Sequence, residues 1–204
     1  MKQNPPFIEN NIYHVVNHAN GNEKLFTNQE NYRYFLQQLN KYITPVADFF
    51  AYALLPNHYH LMIRIKSYET ILPIFLQNKK NKEIDGWLPE FVLQCFSNFQ
   101  NSYAKAFNKK YQRKGALFMH PLKRVLVASE PQFSATLFYV HKNAVHHGLC
   151  SNIEDYENCS YLSLISNGPT LLLRDEVLDW FGNRESLIKF HQQPINLKNA
   201  VVLE

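Results

Sequence analysis

Two histidines one residue apart, His58 and His60, stand in the run Leu55-Pro-Asn-His-Tyr-His-Leu-Met-Ile-Arg-Ile65. Side chains two apart on a β-strand point to the same face. The pair would therefore present two imidazoles side by side, with Met62 and Arg64 following on that face and Tyr59, Leu61, Ile63 and Ile65 on the other. Two imidazoles at this separation can chelate a divalent ion, although on spacing alone a chance pair on a half-exposed strand is the plainer reading. A second constellation is Phe138-Tyr-Val-His-Lys-Asn-Ala-Val-His-His-Gly148. Residues four apart share a helix face, so Tyr139 and Asn143 project together, as do Lys142 and His146. A phenol beside an amide suits a nucleophile next to a metal ligand. A core aromatic at 139 is the plainer alternative, and spacing does not favour Tyr139 over Tyr103 or Tyr111. HExxH, Walker A and GxGxxG patterns are absent.

A third feature is cationic. Lys105, Lys109, Lys110, Arg113 and Lys114 interleave with Tyr103, Phe107 and Tyr111, the mix of charge and aromatic rings that tracks a phosphate backbone. Lys123 and Arg124 extend the strip, and Arg64 lies beyond the histidine pair on its face of the strand. A solvated helix end is the competing reading, because cations also favour a helix C-terminus. The net charge is +4, unevenly spread: residues 1–127 carry 16 Lys and Arg against 8 Asp and Glu, whereas residues 128–204 carry 5 against 9. The basic part is the candidate polyanion surface. His14 and His18 share one face of a first strand and read as polar sheet residues, with a place near the site or against nucleic acid as the alternative.

The elements that must position these groups follow from pattern. Tyr13-His-Val-Val-Asn-His-Ala19 is rich in β-formers and ends at a turn, Asn20-Gly-Asn22. Tyr32, Phe35, Leu36, Leu39 and Ile43 recur at helical spacing from Thr27 to about Ile43, with Thr27 or Asn28 as N-cap. Asp48 to Leu55 and His58 to Ile65 make a hairpin about Pro56-Asn57. Residues 77–89 read as a polar loop. A helix from about Pro89 to Lys110 carries Phe91, Cys95, Phe99, Tyr103 and Phe107 at steps of four. A strand lies around Lys123–Val127. Ser129-Glu-Pro131 opens a further helix that Gly148 closes. The order β α β β α β predicts an α+β, ferredoxin-like split βαβ: a four-stranded antiparallel sheet with helices on one face and the other face open to nucleic acid.

The hydrophobic fraction of 46% suffices for a core, and the three cysteines, Cys95, Cys150 and Cys159, form no CxxC pair and read as ordinary thiols. No apolar stretch approaches the roughly 18 residues of a membrane span, and residues 1–7 carry no apolar signal run. A membrane partner is not expected, and the expected location is the cytoplasm.

The sequence resembles the single-tyrosine HUH transposases, in particular the branch that includes the REP-associated tyrosine transposases. His58-Tyr59-His60 is similar to the histidine-hydrophobe-histidine motif inside that family's proline-asparagine-histidine turn. Tyr139 to Gly148 is similar to its tyrosine helix. Tyr13-His-Val-Val-Asn17, Ser102 to Asn108 and Gly115-Ala-Leu-Phe118 fall where the family has similar segments, so the likeness runs over about residues 7–165. Ala144 stands where the family has proline after the asparagine, and Tyr59 is a bulky residue between the histidines. The resemblance implies a nuclease and strand transferase for single-stranded DNA that often folds into a hairpin. By carry-over, His58, His60 and Asn143 hold Mg²⁺ or Mn²⁺ and Tyr139 is the nucleophile, forming a 5′-phosphotyrosine link.

The expected organisation is a catalytic domain over 1–165 and an acidic helical appendage over 166–204. The site could be completed within one chain or by a homodimer, and both arrangements are open. Two rival readings are a non-catalytic DNA- or RNA-binding module on the same fold, and a metal-dependent hydrolase that uses HxH without a tyrosine nucleophile.

Overall fold

The computed structural model describes residues 4–77, 86–194, 200 and 202–203. Four strands, β1 (Ile12–His18), β2 (Ala47–Leu55), β3 (His58–Ile65) and β4 (Lys123–Val127), form one antiparallel sheet in the order β2-β3-β1-β4. This is the split βαβ arrangement expected from the element order. Helix α1 (Gln29–Tyr42) is capped by Asn28, whose side chain accepts from the Asn31 N–H. Helix α3 (Trp87–Lys110) packs beside α1. Together they cover one sheet face, where Phe35, Leu39, Phe99 and Tyr103 meet Tyr13, Val15, Tyr59, Leu61, Ile63 and Ile65.

The opposite face is not open. Helix α4 (Glu130–His146) packs across β2 and β3 and brings Phe133, Leu137 and Val140 onto Val16, Phe50, Ala53, Met62 and Val125. These strand residues are apolar on both faces, and leaving the second face in water would forgo roughly 25 cal/mol for every Å² of apolar surface. Helices α5 (Tyr161–Ile165), α6 (Arg174–Phe181) and α7 (Arg184–His191) complete this layer with Tyr161, Leu164, Val177 and Leu187. The expected platform for bases is thus filled by the protein itself.

The chain after α4 also protects the outer edge of β2. Leu54 N–H donates to the Asn158 carbonyl, Ser160 N–H to that of Tyr52, and Leu173 N–H to that of Phe49, each at 2.9 Å. An exposed edge strand would otherwise template pairing with other chains. A short helix α2 (Tyr68–Leu76), with Pro73 inside it, was not expected from the sequence; it is followed by Trp87 of α3, stacked on Phe75. Of the loop expected at 77–89, residues 78–85 lie outside the described residues, and Trp87 to Pro89 already belong to α3. The free cysteines Cys95 and Cys159 are buried, and burial pushes both thiols up to about 11. No helix among the described residues is long and apolar enough to cross a membrane.

Candidate catalytic and metal site

The hairpin turn is clamped before the first histidine. The Pro56 carbonyl accepts from the N–H groups of Leu25 and Phe26, and the Asn57 carbonyl accepts from that of Ala19. β3 starts at His58, and alternation sends His58 and His60 to the α4 side. Opposite them, α4 places Asn143 and Tyr139 one turn apart. The helix is stopped by Gly148 in the left-handed region, φ +66°, which only glycine adopts without strain.

His58 Nδ1 lies 2.8 Å from Asn57 Oδ1, an atom that can only accept, so Nδ1 carries the proton and Nε2 the lone pair. That Nε2 faces Asn143 Oδ1 at 3.3 Å. Two acceptor atoms therefore point at each other, while Asn143 Nδ2 is buried without a hydrogen-bond partner. His60 Nε2 is likewise buried without one, and His60 is 0% exposed. A divalent cation held by His58 Nε2, His60 Nε2 and Asn143 Oδ1 would engage these three lone pairs and leave the Asn143 Nδ2 hydrogens unpaired, and the set is chemically suited to it: two neutral imidazoles and an amide oxygen. Burial foremost, then the neighbouring His18 and His147, pulls the His58 pKa down to about 3; burial, then His14, holds His60 well below its ordinary value. Both rings are therefore lone-pair carriers at neutral pH. Among the described residues no group of three or more His, Cys, Asp and Glu side chains is arranged to hold a metal, so the candidate rests on the asparagine as third ligand.

Tyr139 is 1% exposed, with its ring against the histidines rather than away from them. Its edge meets His60 at 5.6 Å between centroids and His14 at 5.8 Å, and its hydroxyl donates to the Leu203 carbonyl at 3.5 Å. The two tyrosines that spacing could not separate from it lie elsewhere. Tyr103 sits in the core on the other sheet face and donates to the Leu25 carbonyl at 2.6 Å, while the Tyr111 hydroxyl is bound by Thr27, Asn28 and Asn31. Two further imidazoles belong here. His18 stacks on His58 at 4.6 Å, as its position directly across the β1–β3 ladder requires, and His147 meets the same ring at 5.0 Å. Strand alternation marks His14 and His18 once the register of β1 on β3 is known; nothing in the sequence supplies that register.

The cationic strip divides. Lys105, Lys109 and Lys114 are exposed, and Lys110 is exposed but paired with Glu30. Arg113 pairs with Glu23 and donates to the carbonyls of Gly115 and Ala116, so it clamps the loop after α3. That loop leads into Phe118 and Met119, which pair with Ala19 and His18 at the histidine end of β1. Lys123 is half-buried on β4. Arg124, expected on the strip, is instead buried: its guanidinium donates to the carbonyls of Pro5 and Asn4 and lies over Phe7. Arg64, expected beside the histidines for nucleic acid, ion-pairs with Glu176 at 2.7 Å and fixes α6 to the sheet. Local sequence shows neither partner.

Behind α4 a buried chain of polar groups has one consistent proton arrangement. His191 Nδ1 donates to the Leu187 carbonyl at 2.9 Å, so its Nε2 accepts from His141 Nδ1, and His141 Nε2 accepts from the Ser160 hydroxyl at 2.8 Å. Burial holds His141 well below its ordinary pKa and His191 at about 4. Neutral buried histidines must take up protons on unfolding below pH 6.5, where the unfolded chain binds them and the native state does not. Their contribution is complete above about pH 6.5 and is lost as pH falls towards about 4 for His191 and about 3 for His58. At roughly 1.4 kcal/mol per pH unit for each group, urea unfolding at pH 5 should report about 2 kcal/mol or more less stability than at pH 7.5. Equal stability at the two values would contradict the neutral, buried assignment.

An α+β domain with a split βαβ sheet, a histidine pair on its third strand and a tyrosine helix laid across that strand is the class of protein defined here. A solved structure of the same fold is described as a REP-associated tyrosine transposase bound to a REP hairpin. It covers 86% of this chain and 90% of its own, with a TM-score of 0.58 at 11% sequence identity. The chain therefore has the fold of that transposase. No family model matches the sequence, and no curated protein matches it.

Proposed function

We propose that this protein is a metal-dependent single-stranded DNA endonuclease and strand transferase that acts at hairpin-containing ends through Tyr139. The observation that carries the proposal is the gathering of His58, whose Nε2 faces Asn143 Oδ1 at 3.3 Å, and His60, whose ring lies 5.0 Å from that of His58 and 5.6 Å from that of Tyr139, all within one chain. The fold shared with a transposase bound to a hairpin supports the substrate class. When bound, Mg²⁺ or Mn²⁺ supplies positive charge at the scissile phosphate and at the departing 3′ oxygen. His58, His60 and Asn143 would hold it. Tyr139 Oη attacks phosphorus and loses its proton, the P–O3′ bond breaks, and the 3′ oxygen leaves as a hydroxyl. The new 5′-phosphotyrosine keeps a phosphodiester, which a second 3′ hydroxyl can attack to rejoin the strand. Lys105, Lys109, Lys110 and Lys114 track the phosphates, with the loop clamped by Arg113 leading towards the site. Residues 1–165 supply the catalytic groups, and the appendage over 166–204 supports α4. Because Tyr139 meets His60 of its own chain, the reading needs no second copy.

One observation favours a different reading. The phenol is buried and its hydroxyl is engaged by Leu203, as in a protein that binds hairpin DNA without cutting it. Incubation with labelled hairpin-containing single-stranded DNA separates the two. We expect a covalent adduct with Mn²⁺ and none with EDTA. Tight binding with no adduct across a broad set of oligonucleotides would leave only the binding module.

A further inference from the structure

We propose that His14 is a positioning residue that fixes which nitrogen of His60 is free to take the metal. The inference rests on the metal reading above and deepens it. His14 Nε2 lies 2.9 Å from His60 Nδ1, the rings stack at 5.1 Å with an interplanar angle of 22°, and both side chains are 0% exposed. Two nitrogens at that distance share one proton. With the proton on His60 Nδ1, His60 Nε2 carries the lone pair, buried and without a hydrogen-bond partner on a ring 5.0 Å from that of His58. With the proton on His14, a neutral His60 would hold its own proton on Nε2, a buried N–H with no partner that could not bind a cation. Burying such a donor unsatisfied costs on the order of 1–3 kcal/mol, so the first arrangement prevails.

The same device serves the other histidine by a different route. His58 has its rear nitrogen held by Asn57 from its own turn, and His60 has its rear nitrogen held by His14 from the neighbouring strand. Metal-ligating imidazoles are regularly oriented in this way, and loss of the orienting partner typically weakens metal binding by about 10- to 100-fold. Glutamine at 14 can bring an amide oxygen close to where His14 Nε2 stands, whereas phenylalanine keeps a ring and removes the acceptor.

Two measurements on the full chain test this. Nitrogen-detected NMR of the metal-free wild type should find the His60 proton on Nδ1; a proton on Nε2 would overturn the proposal without any variant. Calorimetry with Mn²⁺ alone should then show His14→Phe binding at least about tenfold more weakly than wild type, with His14→Gln restored to within about threefold. Equal affinity in wild type and a folded His14→Phe would also overturn it. A wild type that binds no Mn²⁺ would instead remove the metal reading itself, while the NMR result on His60 would still decide the role of His14.

Discussion

Tyr139→Phe should abolish covalent attachment to hairpin-containing single-stranded DNA, lowering adduct formation by at least about 1000-fold, while hairpin affinity stays within about threefold of wild type. The expectation is this sharp because the substitution removes the attacking oxygen and keeps the ring. The ring remains to pack against His60 and His14, and the bond to the Leu203 carbonyl is a long one, 3.5 Å, contributing about 1 kcal/mol or less. Thermal unfolding should therefore move little, and a folded, DNA-binding, inactive protein is the expected product. Gel shift, thermal melt and intact mass of the two proteins make the comparison. Undiminished adduct in the variant would assign the nucleophile to another of the 12 tyrosines. Strand cleavage that survives without any adduct would favour a hydrolase built on the histidine pair alone.

The opposite change is expected from removing residues 202–204. Leu203 is 6% exposed, packs into the second core and accepts the hydrogen bond of Tyr139, so on the proposed reading the phenol would reach a phosphate only once the Leu203 contact opens. Deletion should raise the initial rate of adduct formation by about tenfold, equivalent to removing roughly 1.4 kcal/mol of opening free energy. It should also lower global stability by about 1–3 kcal/mol for the lost apolar burial. Leu203→Ala, which weakens the anchor and leaves the backbone acceptor, should give a smaller rise. An unchanged or slower rate in a deletion that still folds and binds hairpin would show that the segment does not gate the phenol.

Two periodicities made the facing of the candidate residues legible, while the choice of Tyr139 among the tyrosines and of Asn143 as a ligand came from the family resemblance. Alternation along His58–Ile65 assigned the two faces of β3 correctly, and the four-residue step put Tyr139 and Asn143 on one helix face. What the sequence could not show depends on distant partners. His14 acts on His60 across 46 positions through strand register, and Arg64 meets Glu176 across 112. Arg124 reads as surface charge until the carbonyls of Asn4 and Pro5 enclose it. The expectation of an open sheet face failed because the helix predicted after β4 was assigned to neither face of the sheet, whereas Phe50, Ala53 and Val125 had already committed the second face to burial under α4 and the appendage. Helix α2 was hidden by Pro73, which in sequence argues against a helix interior and in the structure sits inside a short one.

The most direct test of the central claim is to locate the covalent bond in the wild-type protein. Protein incubated with hairpin-containing single-stranded DNA and Mn²⁺ is trimmed with nuclease, digested with protease and sequenced by mass spectrometry, alongside an EDTA control. The account predicts a nucleotide phosphate on the peptide containing Tyr139, present only with metal. Modification at a different tyrosine, or the same adduct in EDTA, would contradict the assignment of one site built from His58, His60, Asn143 and Tyr139.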